Sequence, residues 1–225
     1  MQALIAFDLD GVLYSSEPFL GEAYSEAIAN VNARRPNSFP RVPTTREILD
    51  HVGWPVTVIL ERLFPDIDAT AVALLYAETL EVICAHVARG EGILSPGVAA
   101  TLAGLRRSGL LLAVASNGRQ RYIETVLLTY GIARHFLELI TVEGGTIENK
   151  AGILRAYLAR QDLAPARLVM VGDRSSDVEA AAAVGCHFIG CDYGHGYRHE
   201  IEGAGPIVSA FDQLPAAIAA VFAVS

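Results

Sequence analysis

Residues 6–16 read AFDLDGVLYSS, an apolar run that ends in two aspartates separated by a single leucine. The apolar residues 3–7 predict a buried strand, so Asp8 and Asp10 stand at its carboxyl end. Because an extended chain has a period of two, both carboxylates project from the same side, and Gly11 allows the chain to turn. Ligands of α/β sheets bind at this edge. The stretch therefore predicts either a ligand site or an Asp-Gly turn whose carboxylates bind local backbone donors.

The composition indicates a globular protein with a substantial core. The chain has 225 residues, 52% of them hydrophobic, which suits one large domain or a core with a small insertion. Its formal charge of -8 and isoelectric point near 5.2 disfavour nucleic acid and anionic membranes as partners. The three cysteines match no zinc or disulfide spacing, and the apolar run 110–115 is too short to cross a bilayer. We therefore expect a cytoplasmic protein with no export signal and no membrane span.

The apolar pattern divides the chain into a helical stretch and an alternating stretch. Four helices are predicted first, over residues 18–32, 44–52, 56–63 and 69–88. Strands are then predicted at 110–115, 137–142, 167–172 and 187–191, and helices at 95–108, 119–130, 149–160, 175–184 and 212–223. This alternation indicates an α/β fold, a Rossmann-like doubly wound parallel sheet with helices on both faces. The helical stretch then forms an inserted domain of residues 16–90, beside a core domain of residues 1–15 and 91–225.

Polar side chains follow two further strands at the same predicted edge. Ser116, Asn117 and Gly118 stand between a strand and a helix, where they suit either an anion site or an ordinary helix cap. Asp173 directly follows the strand RLVMVG, and Asp177 lies four residues later in the first turn of a helix. Asp177 either compensates the helix dipole or joins a site, whereas the position of Asp173 favours a functional role.

Lys150 is the only lysine in the sequence, beside 16 arginines. It indicates a position that needs a compact ammonium group, with a solvated surface position as the alternative. The carboxylates of Asp8, Asp10, Asp173 and Asp177, gathered at one sheet edge, would repel one another unless cations were present. Mg²⁺ suits such a set, because it binds a few carboxylates together with water and substrate phosphate oxygens.

In this order, DLDGV at 8–12, Ser116, Lys150 and GDRSSD at 172–177 resemble the motifs of the haloacid dehalogenase (HAD) superfamily. The helical insertion and the YGHG loop at 193–196 are similar to the phosphoglycolate phosphatase-like branch, which carries a helical cap. The resemblance implies a HAD-like core with a cap, and a Mg²⁺-dependent phosphoric monoester hydrolase that acts on small phosphorylated metabolites.

The resemblance also implies a role for each motif residue. Asp8 attacks phosphorus to form an aspartyl-phosphate, and Asp10 protonates the leaving alcohol and then activates water. Ser116 hydrogen-bonds a transferring oxygen, and Lys150 steadies the nucleophile and the phosphoryl charge. The implied metal residues are Asp8, Asp10 through its carbonyl, Asp173 and Asp177, and the implied phosphate-binding residues are Gly11, Asn117 and Gly118.

Specificity is assigned to the cap, which closes over the site and contacts the leaving group. Residues 51–65 resemble the substrate-facing stretch of such caps, and the candidates there are Gly53, Trp54 and Arg62; the alternative is that Trp54 and Pro55 begin a packed helix. Two departures from the family pattern, Ser16 in place of a frequent aspartate and an Asn-Gly-Arg loop, bear on the substrate.

Phosphoglycolate is the expected substrate. The resemblance implies phosphoester and not carbon–halogen cleavage, because dehalogenases of the superfamily lack an acid at the position of Asp10, and it disfavours a phosphonoacetaldehyde hydrolase, which needs a second lysine that this chain does not have. The alternatives are a β-phosphoglucomutase-like phosphomutase, a nucleotidase or pyrophosphatase, and a catalytically silent regulatory module.

Overall fold

The computed structural model describes residues 2–143 and 145–223. These residues contain seven strands and ten α-helices. The strands are β1 (Leu4–Phe7), β2 (Tyr14–Ser15), β3 (Ile93–Leu94), β4 (Leu111–Val114), β5 (Leu168–Gly172), β6 (His187–Cys191) and β7 (Ile207–Val208). The helices are α1 (Glu17–Arg34), α2 (Thr45–Leu49), α3 (Val56–Leu63), α4 (Ala69–Ala88), α5 (Val98–Arg107), α6 (Gln120–Thr129), α7 (Lys150–Gln161), α8 (Ser175–Val184), α9 (Arg198–Ile201) and α10 (Leu214–Ala223).

The main sheet has five parallel strands in the order β4-β1-β5-β6-β7. β1 and β5 read LIAF and LVMVG, and all their residues are buried, as in parallel strands covered on both faces. Ile5 and Phe7 face a core shared with α5, α6 and α10, whereas Leu4 and Ala6 face a core shared with α7 and α8. The predicted α/β fold with a doubly wound parallel sheet is confirmed.

The register of β1 brings the ends of three strands together. Phe7 pairs with Val114 of β4 and with Val171 of β5. The backbone N–H of Asp8 then donates to Val171 O at 2.9 Å. Residues that follow β1, β4 and β5 therefore lie at one edge of the sheet, where α/β proteins bind ligands.

The predicted strand at 137–142 is wrong. Leu137 N donates to Leu112 O at 2.8 Å, but Ile140 N donates to the Tyr157 hydroxyl at 3.0 Å instead of to a strand. The Tyr157 hydroxyl of α7 thus accepts the hydrogen bond that a backbone carbonyl of a neighbouring strand would accept in a sheet. The two-residue strands β2, β3 and β7 are too short to leave an alternating signal in the sequence.

Helices α1 to α4 lie in the sequence between β2 and β3. These two strands pair antiparallel, with Tyr14 opposite Leu94, where the chain leaves the sheet region and returns. The side chains of Thr44 and Asp68 cap the starts of α2 and α4, and α1 packs along α4. The domain boundaries at residues 16–90 stay a prediction.

Helix α4 is long and apolar enough, by length and composition alone, to cross a membrane. Within this fold it packs against α1 and α6 and buries Leu75 and Val82. Glu78 and Glu81 on its surface form ion pairs with arginines of α1 and α6. These contacts bury part of its apolar surface inside the protein.

Candidate active site

Lys150 forms a buried ion pair with Asp8 at the carboxyl edge of the sheet. Its Nζ lies 2.7 Å from Asp8 Oδ2 and also contacts Asp177 Oδ1. Lys150 begins α7, Asp177 lies in the first turn of α8, and Asp8 directly follows β1. The three side chains are at most 2% exposed. The lysine therefore occupies the interior between two carboxylates and not the solvated surface.

Asp173 is held by the loop that follows β6. Its Oδ2 accepts hydrogen bonds from the backbone N–H groups of His195 (2.8 Å) and Gly196 (2.9 Å). A Cβ at Gly196 would collide with the Asp173 carbonyl oxygen, so only glycine allows this approach. Asp173 Oδ1 is buried and has no hydrogen-bond partner among residues 2–143 and 145–223. A buried polar atom left open in this way indicates a group that completes the site.

The carboxylates form a candidate metal centre. One oxygen from each of Asp8, Asp173 and Asp177 lies within 4.8 Å of the others. Asp177 is already engaged, since its Oδ1 contacts Lys150 and its Oδ2 accepts from the backbone N–H groups of Asp173 (3.1 Å) and Arg174 (3.0 Å). The open Asp173 Oδ1 beside the Asp8 carboxylate fits a hard cation such as Mg²⁺, which binds oxygen ligands. Asp177 fits the role of orienting its neighbours.

The electrostatics of the site favour an added cation. Burial raises the pKa of Asp8 well above its usual range, and Lys150 opposes this rise. Burial lowers the pKa of Lys150, but Asp177 and Asp8 outweigh it and hold that pKa above its usual range. Burial, reinforced by Asp177, raises the pKa of Asp173 to about 7. One ammonium group is too little to balance this much buried negative charge.

The raised pKa of Asp173 gives an expected pH dependence for the metal-free protein. Between about pH 4 and 7 the folded state keeps a proton that the unfolded chain has released, so the free energy of unfolding falls as the pH rises through this range. Mg²⁺ at about 100 times its dissociation constant should add about 2.7 kcal/mol, or roughly 5–10 °C in Tm. Thermal melts at pH 5 and pH 8, with and without Mg²⁺, measure both effects.

The Mg²⁺ effect should be larger at pH 8 than at pH 5, because protons compete with the metal for Asp173. Asp173→Asn should lose the response, whereas Asp66→Asn, at an exposed position, should keep it. If Mg²⁺ does not change the Tm of the wild type at pH 8, the proposed metal centre is contradicted.

Asp10 and Gly11 turn the chain after β1. Gly11 has a φ of +82°, and a side chain there would collide with the Asp173 carboxylate. Asp10 Oδ1 accepts hydrogen bonds from the Tyr122 hydroxyl (2.6 Å) and from Ser16 Oγ (3.4 Å). The Asp10 carboxylate therefore accepts from two side chains, whereas Asp8 Oδ1 accepts from the adjacent backbone N–H of Leu9 at 2.8 Å. Its side chain lies outside the carboxylate group above, and the assignment of its carbonyl to the metal stays a prediction.

The loop after β4 does not use its polar side chains to cap a helix. Helix α6 begins at Gln120, with Arg119 at the cap position. Ser116 Oγ accepts a hydrogen bond from Gly118 N at 3.0 Å, and Asn117 Nδ2 donates to Gly53 O at 2.9 Å. Ser116, Asn117 and Gly118 instead line a cavity that Asp8 and Asp10 also line. The cavity lies between the sheet edge and helices α1 to α4.

The three candidates for specificity are placed differently by the structure. Gly53 and Trp54 line the cavity, and Gly53 O also accepts the bond from Asn117. Arg62 is exposed and lies over the Trp54 ring, 4.6 Å from its centroid, and it is not among the cavity-lining residues. The structure thus brings Gly53 and Trp54 to the site and leaves Arg62 behind Trp54.

Two buried arginines have no role assigned from the sequence, Arg119 of the Asn-Gly-Arg loop and Arg174 of GDRSSD. Arg119 lines the cavity, donates to Tyr76 O and Thr79 Oγ1 of α4, and forms no ion pair with a carboxylate of residues 2–143 and 145–223, although the charge of Glu143 acts on it at longer range. Arg174 donates to Leu49 O at 3.4 Å and thereby ties α8 to α2. The Asn-Gly-Arg departure after Ser116 is the one sequence signal that points to Arg119.

Comparisons with known proteins agree with this geometry. Residues 3–185 match the family model of haloacid dehalogenase-like hydrolases. The chain is 32% identical to the phosphoglycolate phosphatase of Vibrio cholerae over 217 residues, which cover 90% of each protein.

Solved structures share the fold. A crystal structure described as a predicted phosphoglycolate phosphatase from Haemophilus somnus has a TM-score of 0.81 at 23% identity, over 95% of this chain and 96% of that one. A CbbY variant from Rhodobacter sphaeroides, in complex with xylulose-1,5-bisphosphate, has a TM-score of 0.74 at 26% identity, over 95% and 96%.

Proposed function

This chain belongs to the haloacid dehalogenase-like hydrolases and is a phosphatase of that family, and we propose that it hydrolyses phosphoglycolate, or a similar small phosphate ester, through an aspartyl-phosphate at Asp8. The observation that carries the proposal is the buried Asp8–Lys150 ion pair beside the open Asp173 Oδ1. The likeness to phosphoglycolate phosphatase along 90% of the chain supports the substrate class.

In the proposed first step, an Asp8 oxygen bonds to phosphorus while the bond from phosphorus to the ester oxygen breaks. Asp10 gives a proton to that oxygen as the alcohol leaves. Lys150 holds the Asp8 carboxylate in place and balances the charge of the transferring group, and Ser116 lies beside the same cavity.

In the second step, Asp10 takes a proton from water, the water oxygen bonds to phosphorus, and Asp8 is released with inorganic phosphate. Asp8 and Asp173 would hold Mg²⁺, with Asp177 orienting them, and the ion would neutralise the negative charge spread over the phosphoryl oxygens. Helices α1 to α4 cover the cavity and limit the access of bulk water to the intermediate.

Arg119 supports a substrate that carries a second negative group. Arg119 lines the cavity and is 7% exposed, and no carboxylate of the described residues forms an ion pair with its guanidinium. Its known contacts are a backbone carbonyl, a threonine hydroxyl and the Tyr76 ring at 4.3 Å, all in α4. A buried cation without an anionic partner suits the carboxylate of phosphoglycolate.

Arg119→Gln should therefore lower kcat/KM for phosphoglycolate by about 10- to 100-fold, since a hydrogen bond to a charged group contributes about 1.5–3 kcal/mol. The same change should affect 2-hydroxyethyl phosphate, which has an alcohol in place of the carboxylate, by less than about threefold. Steady-state phosphate release measures both values. Equal losses on both esters would show that Arg119 only supports the fold.

The proposed activity is tested by phosphate release from a panel of esters with Mg²⁺ and with a chelator. We expect phosphoglycolate to be hydrolysed only with the metal. Return of the phosphoryl group to a sugar would favour a phosphomutase instead. No release from any ester would favour a silent regulatory module.

A further inference from the structure

The Tyr122 hydroxyl lies against the carboxylate that handles protons in the proposed reaction. It donates a hydrogen bond of 2.6 Å to Asp10 Oδ1, between residues 112 positions apart in the sequence. Ser16 Oγ lies 3.4 Å from the same oxygen, beyond the roughly 2.5–3.0 Å that is typical of a hydrogen bond between oxygens. Within residues 2–143 and 145–223, these are the donors to the Asp10 carboxylate. Tyr122 is thus its principal support.

The position of Tyr122 follows from the loop that carries Ser116. Tyr122 lies in the first turn of α6, and a Cβ built on Gly118 would be 3.3 Å from its ring. Ile123, the next residue, is fully buried in the core, and its burial fixes the rotation of α6 about its own axis. The same short segment therefore presents Ser116 and the phenol to one cavity, which both residues line.

The phenol is suited to a donor role. A tyrosine phenol keeps its proton at neutral pH, so its hydroxyl is the donor in this hydrogen bond to the Asp10 carboxylate. Asp10 Oδ1 must then accept, and only Oδ2 is left for exchange of a proton with the substrate or with water. Catalysis by a carboxylate depends on how well such an oxygen is aimed.

We propose that Tyr122 is a positioning residue that fixes Asp10 Oδ1 and thereby aims Oδ2 at the oxygen of the leaving group. The inference rests on the proposed function, in which Asp10 protonates that oxygen. Loss of the phenol hydroxyl should then matter most for esters whose leaving group needs the proton, and little for those that leave as stable anions.

The test compares kcat/KM for two aryl esters of similar shape in wild type and Tyr122→Phe. Phenyl phosphate has a basic leaving oxygen, whereas 4-nitrophenyl phosphate releases a stable phenolate. kcat/KM reports the first phosphoryl transfer and excludes the later attack of water. We expect a loss of about 10- to 100-fold on phenyl phosphate and of less than about threefold on 4-nitrophenyl phosphate.

Tyr130→Phe is the matched control, because it removes a phenol that donates to Gly92 O (2.7 Å) at the other end of α6. It should affect both esters equally and slightly. In an Asp10→Asn background, Tyr122→Phe should cause no further loss on phenyl phosphate, since its effect acts through Asp10.

Equal losses on both esters in a folded Tyr122→Phe protein would overturn the positioning role and leave the phosphatase intact. So would a further loss in the Asp10→Asn background. A wild type without activity on any ester would overturn the proposed function, and the role of Tyr122 with it.

Discussion

We expect Asp8→Asn to lower kcat/KM for the proposed substrate, phosphoglycolate, by about 10⁴-fold or more and to leave the Tm near that of wild type. The loss is expected because an amide cannot replace the carboxylate as the nucleophile. The fold should tolerate the change, because burial and the charges of Asp177 and Asp173 raise the pKa of Asp8 and so disfavour its ionised form. A neutral asparagine removes the repulsion between these carboxylates. Phosphate release and thermal melting measure the two effects.

Asp66→Asn is the control, because Asp66 is exposed and distant in sequence from the motif residues. It should change neither activity nor Tm measurably. Activity of Asp8→Asn within tenfold of wild type would rule out Asp8 as the nucleophile. A large fall in its Tm would instead show that the loss of activity reflects unfolding.

Lys150→Met removes the ammonium from between Asp8 and Asp177 and should cost about 3–5 kcal/mol of stability at pH 8. It should also lower kcat by about 10²- to 10³-fold, because the nucleophile and the transferring group lose their fixed positive charge. The cost in stability should be smaller at pH 5. At that pH Asp8, whose pKa burial already raises and which the loss of Lys150 would raise further, takes up a proton in place of the ammonium charge.

The control for Lys150→Met is Arg160→Met on the same helix, α7. Arg160 lies 3.4 Å from Glu138 in a pair whose side chains are 54% and 88% exposed, so the change should cost less than about 1 kcal/mol. Lys150→Arg should remain impaired, because a planar guanidinium does not fit a position that is 2% exposed. A Lys150→Met protein as stable as wild type at pH 8 would contradict the buried ion pair.

The charged residues of the site could be predicted from sequence because the topology of a parallel sheet fixes where they meet. Asp8 and Asp173 each follow an apolar strand directly, and β1 and β5 are neighbours in the sheet. Lys150 stood out by its rarity alone, and its place between two carboxylates fits that interpretation.

The other features of the site and the fold depend on how helices and loops pack together, which the spacing of apolar residues in the sequence does not describe. The contact between Tyr122 and Asp10 requires that α6 be rotated about its axis so that Tyr122 points to the end of β1. The Ser116–Gly118 loop sets this orientation of the helix. Arg119 reaches its partners only because α4 packs against α6. The predicted strand at 137–142 fails because Tyr157 satisfies a backbone N–H that a neighbouring strand would otherwise satisfy.

The covalent intermediate at Asp8 is the most direct test of the account. Wild type and Asp10→Asn, in which the attack of water is slowed, are incubated with Mg²⁺ and 4-nitrophenyl phosphate, quenched in acid and reduced with borohydride. Reduction converts an acyl phosphate on aspartate to homoserine, which peptide mass spectrometry locates. We expect homoserine at position 8, with more of it in Asp10→Asn than in wild type. Homoserine at another position, or an unmodified Asp8 in protein that turns over, would contradict the account.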